Sequence, residues 1–173
     1  MVLRNGPDGY GVVTKTLHWL TVLLVATQFV VGYSMDADDG GGRGRGRGRG
    51  GGSGRGRGGD GEEGYELVGL LPVHVALGIT ILVVAILRVG WRLGTDLPPW
   101  AAQLSVAHQG IITWTERVLL LMLFVVPATG LALVLGKDDD LLGLHIAAHV
   151  VFFAALAAHV GMVLGKRLLP RML

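Results

Sequence analysis

The sequence predicts an all-α integral membrane protein, a four-helix bundle of transmembrane helices running up-down-up-down. Three observations lead there. The chain has 173 residues, of which 51% are hydrophobic. Most of that apolar content is gathered into four long runs, each near the ~20 residues a helix needs to cross the hydrocarbon core. Glycine and charge concentrate between the runs, above all between the first two.

The first run, LHWLTVLLVATQFVVGYSM, covers residues 17–35. It is longer than the apolar core of a signal peptide and has no small-residue cleavage site, so it is expected to stay in the membrane. The second, LVGLLPVHVALGITILVVAIL, covers 67–87. The third has its apolar body at 118–136, VLLLMLFVVPATGLALVLG, and its helix has room to begin several turns earlier. The fourth, LLGLHIAAHVVFFAALAAHVGMVLG, covers 141–165 without a charge. Backbone groups in lipid must be satisfied within their own segment, so helices are the expected form. Pro127 is expected to kink the third helix.

The whole chain, 1–173, reads as one membrane domain. Its one low-complexity segment is 36–66, between the first two runs. Six arginines face seven acids there, and glycine fills most of the rest. That composition predicts a disordered linker. Arg-Gly repeats also occur in nucleic-acid binding, but the acidic flanks and the two membrane runs make nucleic acid an unexpected partner. On the outside of the membrane the arginines would attract an anion or an acidic redox partner.

Arg4 and Lys15 precede the first run, Arg88 and Arg92 close the second, and Lys166, Arg167 and Arg171 follow the fourth. Four spans put these groups on one side, and the positive-inside rule makes that side cytoplasmic. The Arg-Gly segment then lies outside and opposes the rule. The expected location is the cell inner (plasma) membrane, multi-pass, with both termini cytoplasmic and lipid as the surrounding partner.

There is no cysteine. Disulfides, iron–sulfur ligation and covalent haem attachment are thereby excluded. The six histidines are His18, His74, His108, His145, His149 and His159, and five fall in or at the edges of the runs. Ionisable residues inside a membrane are functional candidates by default. His145 and His159 are fourteen residues apart, which places them within ~40° of one helix face and ~21 Å apart along the axis. His18 lies near the inner start of the first helix and matches His159 in depth. His74 lies near the outer end of the second and matches His145. Two imidazoles facing across a bundle at each of two depths are what two six-coordinate b-type haems require.

His149 is the alternative outer ligand, one turn from His145 and ~40° round the helix. Its rise to His159 is only ~15 Å, which favours His145. The same His145/His149 pair supports the rival reading, a His-lined metal-ion transporter or channel. The scarcity of intramembrane carboxylates, with Glu116 only at the margin of the third run, counts against that reading. His108 is expected to be interfacial. Gly78, one turn from His74, would let a flat cofactor approach or simply serve helix packing. Arg88 and Arg92 are candidates for inner-haem propionate contacts, or else plain positive-inside anchors.

Together KTLHWL around His18, VHVALGITIL around His74, ILRVGWRL, AHQG, VVPATGLAL, the His145/His159 interval and the tail KRLLPRML resemble the bacterial cytochrome b561 family, relatives of the nickel-iron hydrogenase cytochrome b subunits. The resemblance covers nearly the whole chain outside 36–66. It implies a di-haem membrane cytochrome, with His18 and His159 on the inner haem and His74 and His145 on the outer one. It implies electron transfer between ubiquinone or menaquinone and an external partner: superoxide, or a dehydrogenase or hydrogenase donor. In that case the chain is an electron-transfer protein or a quinone-linked oxidoreductase. It departs from the family in its enlarged first loop, in the short loop around GKDDDLLG, and in Val160-Gly161-Met162, where a further His-His pair often follows the last ligand.

Overall fold

Four long helices follow in order: α1 (Val12–Asp39), α2 (Glu63–Leu93), α3 (Val106–Gly136) and α4 (Asp140–Gly165), with a single 3-10 turn at Leu169–Arg171. The computed structural model describes residues 2–7, 9–39, 63–136 and 140–173. No strand occurs among them beyond an isolated bridge between Gly6 and Gly9. Each helix contains a stretch long and apolar enough to cross a membrane: Val12–Met35, Gly69–Leu93, Val106–Gly136 and Leu141–Gly165. The expected four-helix membrane bundle is therefore present. The third helix begins at Val106, so its early start is real. The segment expected as a linker, 36–66, is helical at its two ends, 36–39 and 63–66; its middle, 40–62, lies outside the described residues.

α1 packs along α2, α2 along α3, and α3 along α4. Hydrogen bonds fix which ends lie together. Asn5 Nδ2 donates to the Asp96 carbonyl at 2.9 Å, and Trp91 Nε1 donates to Thr14 Oγ1 at 3.0 Å. Trp19 Nε1 donates to the Met172 carbonyl at 2.8 Å, and Gln103 Nε2 to that of Lys166 at 3.2 Å. The start of α1, the end of α2, the start of α3 and the end of α4 thus share one end of the bundle. This is the up-down-up-down order, with both termini on one face.

Local chemistry sets the helix ends. Before α1, Asn5 Oδ1 accepts from the Gly11 backbone N–H at 3.0 Å and from Thr14 Oγ1 at 2.7 Å. Gly11 is so close to the Arg4 carbonyl that a Cβ there would collide with it. Ser105 caps α3, its hydroxyl accepting from the His108 backbone N–H at 3.4 Å. α4 ends with Arg167 at φ 53°, while Leu168 N donates to Val163 O at 2.8 Å and Arg167 N to Leu164 O at 3.2 Å. Those two bonds make a Schellman close with arginine in the left-handed place usually given to glycine.

Inside the helices, Thr21, Thr27, Ser34, Thr80 and Thr113 return their hydroxyls to carbonyls one turn back. That leaves few polar atoms for lipid to solvate. Pro72 lies inside α2 and Pro127 inside α3, and both helices run on through them. The core is formed by Ile81, Ala85, Met122, Leu123, Ala148 and Phe152. Ala85 is completely buried, the small side chain that lets helices approach. Large apolar residues such as Val30, Ile86, Val150 and Leu164 face outward, as a lipid-facing surface requires.

Candidate functional site

On the end that carries the termini, His18 of α1 and His159 of α4 face one another. Their ring centroids are 6.5 Å apart and their planes are tilted by 47°. Metal–imidazole bonds are about 2 Å long, so two imidazoles sharing one metal have centroids roughly 6 Å apart. The observed spacing matches that requirement. Among the described residues neither ring makes a hydrogen bond, so both keep nitrogen capacity for another partner. The Trp19 indole stands edge-on to His18 at 5.6 Å. Arg88 lies within electrostatic reach of both histidines. Arg92 is 3.9 Å from Glu116 on α3, and Arg88 acts on the same carboxylate.

Towards the opposite end, His74 of α2 and His145 of α4 line one cavity of about 60 Å³, together with Gln28, Gly78, Pro127 and Gly130. Thr129 Oγ1 donates to the Val125 and Val126 carbonyls, both at 2.9 Å. Its single proton is used there, so towards His145 Nδ1, 2.9 Å away, it accepts. With the hydroxyl proton on a carbonyl, His145 donates from Nδ1 and keeps a lone pair on Nε2, the tautomer a metal ligand needs. Gln28 Nε2 sits 3.0 Å from His74 Nε2. The amide donates, so His74 also keeps its lone pair on Nε2. Gln28 Oε1 is buried without a partner, an acceptor left over in a mostly apolar cavity.

Glycines shape this second layer. A Cβ on Gly32 of α1 would lie 3.1 Å from His74 Cε1, and one on Gly130 of α3 would lie 3.0 Å from His145 Cε1. Each imidazole lies flush against a neighbouring helix only because that helix has no side chain there. Gly78 is buried and lines the cavity, with Gln28 Nε2 3.7 Å and Pro127 Cβ 3.9 Å from where its Cβ would be.

His149 donates Nδ1–H to the His145 carbonyl at 2.8 Å. Its ring meets His145 edge-on at 4.4 Å and Phe29 at 5.5 Å. His145 faces the cavity, while His149 turns to the Phe29 side. His108 bonds Ser105 Oγ through Nδ1 at 2.9 Å, at the start of α3 and away from both layers. Among the described residues no group of three or more histidines or carboxylates gathers as a metal site would.

The structure thus brings His18 to His159, and His74 to the cavity of His145. Sequence reasoning missed Gln28, Gly32, Thr129 and Gly130. A lone amide within an apolar run was the available signal for Gln28. The two glycines and Thr129 gave none, because their roles depend on which helix lies opposite.

Four membrane-crossing helices with histidines gathered in the bundle interior define a class, the helical membrane bundles with histidine-lined cores. The family model described as prokaryotic cytochrome b561 matches residues 9–173, and the chain belongs to that family. Membership implies haem b and electron transfer across the membrane. No curated protein and no solved structure matches the chain.

Proposed function

We propose that the chain is a di-haem b-type cytochrome that passes electrons between the quinone pool and a second redox partner across the inner membrane. The observation that carries this reading is the His18–His159 pair, two imidazoles from different helices at a metal-sharing distance of 6.5 Å. His18 and His159 would hold the haem on the end with the termini, and that end is cytoplasmic. His74 and His145 are the ligands at the other depth, with His149 as the alternative to His145.

When bound, haem supplies a one-electron iron couple. The chain supplies its surroundings. Thr129 orients His145 and holds its proton on Nδ1. Arg88 offers a cation to acidic groups beside the inner pair, and Arg92 is shared with Glu116. Gly32, Gly78 and Gly130 keep side chains out of the outer site. The Gln28 amide lies 3.0 Å from His74 Nε2, so ligation at that nitrogen requires the amide to leave it.

The experiment is haem quantification on the purified protein, with each of the four histidines replaced in turn. A His18→Ala variant that keeps two haems contradicts the assignment. The transporter reading predicts bound zinc or no metal where the cytochrome reading predicts iron, so elemental analysis separates them.

A further inference from the structure

We propose that Glu116 is a positioning residue for the inner histidine pair: it holds the guanidinium groups of Arg88 and Arg92 near the depth of that pair and thereby sets the midpoint potential of a haem bound there. The proposal rests on the electron-transfer reading above. Glu116 is the single carboxylate in the spans Val12–Met35, Gly69–Leu93, Val106–Gly136 and Leu141–Gly165. A carboxylate inside a membrane is costly unless cations or water accompany it.

The cations are in place. Glu116 Oε2 lies 3.9 Å from Arg92 Nη1, across the contact between α2 and α3. Arg88 is one turn further into the span on the same face of α2. It is partly buried and acts electrostatically on the same carboxylate. Tyr10, ahead of α1, interacts with Glu116, Arg92 and Arg171 and closes the cluster on its terminal side. Arginines that served only as positive-inside anchors would need no carboxylate between them.

Helical rise ties the cluster to the histidines. Trp91 Nε1 bonds Thr14 Oγ1 at 3.0 Å, so these two residues share a level. Arg88 is three residues inward from Trp91, ~4.5 Å, and His18 is four residues inward from Thr14, ~6 Å. Arg88 and His18 therefore lie at nearly the same depth. His159 faces His18, and Arg88 acts on both rings. Beside the inner pair stand two cations and one carboxylate. Reduction lowers the charge of an iron by one, so a nearby anion favours the ferric form and a nearby cation the ferrous one. A unit charge roughly 10 Å away, at an effective dielectric of about 20, changes such an equilibrium about tenfold. The outer pair, at the other depth, is beyond most of this effect.

The test is an optically monitored redox titration of the haem-loaded protein, with the inner haem identified as the one that remains in a His145→Ala background. Glu116→Gln should raise the inner midpoint by about 59 mV, a tenfold change for one electron, and leave the outer one in place. Arg88→Gln should lower the inner midpoint by a similar amount. The double variant restores the original net charge and should return the midpoint towards its unaltered value, and Glu116→Asp should keep it. A purely structural role for Glu116 would not give opposite shifts that cancel. An inner midpoint unmoved by Glu116→Gln overturns the proposal, as do single variants that shift it the same way or an outer haem that moves equally. Should Glu116→Gln fail to fold, Arg92→Gln decides, since Arg92 is exposed and its loss should also lower the inner midpoint; no shift there overturns the proposal. Loss of the electron-transfer reading itself looks different, because the unaltered protein would then hold no haem.

Discussion

His18 on α1 and His159 on α4 present their rings to each other with centroids 6.5 Å apart. If the pair shares one iron, either residue alone cannot keep it six-coordinate. His18→Ala and His159→Ala should each cut the haem content from two to one and leave the other site intact. The double variant should lose no more than either single one, because both remove the same iron site. Haem quantification together with reduced spectra of the three proteins checks this.

Thr129 fixes His145 from α3 through a 2.9 Å contact to Nδ1. Hydrogen bonds of this kind, behind a ligand, are worth roughly 10- to 100-fold in metal affinity. Thr129→Val keeps the shape and removes the acceptor. It should weaken haem retention at the outer site by about that factor while Thr129→Ser restores it. Haem retained during dilution or competition with a haem-binding apoprotein is the readout.

Gly130 and Gly32 make a steric prediction. Their missing Cβ atoms would lie 3.0 Å and 3.1 Å from the Cε1 atoms of His145 and His74. Gly130→Val and Gly32→Val should push those rings out of place and abolish the outer haem, with the His18–His159 site preserved. Spectra that still show both haems would count against the outer assignment.

His145 and His149 are separable by the same approach. His145 lines the cavity and His149 leans on Phe29. His145→Ala should remove the outer haem, and His149→Phe should leave it. The reverse result would transfer the ligand role to His149.

Outside the membrane-spanning segments, Tyr10 titrates above its ordinary value of 10.0, chiefly because burial disfavours the phenolate and secondly because Glu116 repels it; Arg171 and Arg92 oppose the shift. The folded value exceeds the unfolded one. The phenol's contribution to stability is therefore complete below the unfolded value and falls as pH rises through the folded one. Tyr10 lies under Arg171, whose guanidinium carbon is 5.9 Å from the ring centroid and whose Nη2 donates to the Pro99 carbonyl at 2.6 Å. Alkaline pH should loosen this corner of the bundle, and Tyr10→Phe should flatten the alkaline limb of a thermal-stability profile.

Much of this was legible in the sequence. Four apolar runs gave four helices, because lipid leaves the backbone no other way to satisfy itself. The fourteen-residue interval from His145 to His159 and the depths of His18 and His74 gave the two layers, because helical rise converts sequence distance into depth. The contacts between helices were not legible. Gln28 bonding His74, Gly130 receiving the His145 ring and Arg92 meeting Glu116 all depend on how the helices are rotated against one another. Nearly every face of these helices is apolar, so hydrophobic patterning does not mark the inward side. Arg92, a candidate for a propionate contact or a plain positive-inside anchor, lies 3.9 Å from Glu116, and Arg88 is the cation closer in influence to the histidines.

Two imidazole pairs at two depths are proposed to hold two haems. A dithionite-reduced minus oxidised visible spectrum of the purified protein, with pyridine haemochrome quantification per chain, tests it most directly. Low-spin b-type bands and two haems per chain are the expected result. A stoichiometry of one would break one of the layers, and a protein free of haem would contradict both.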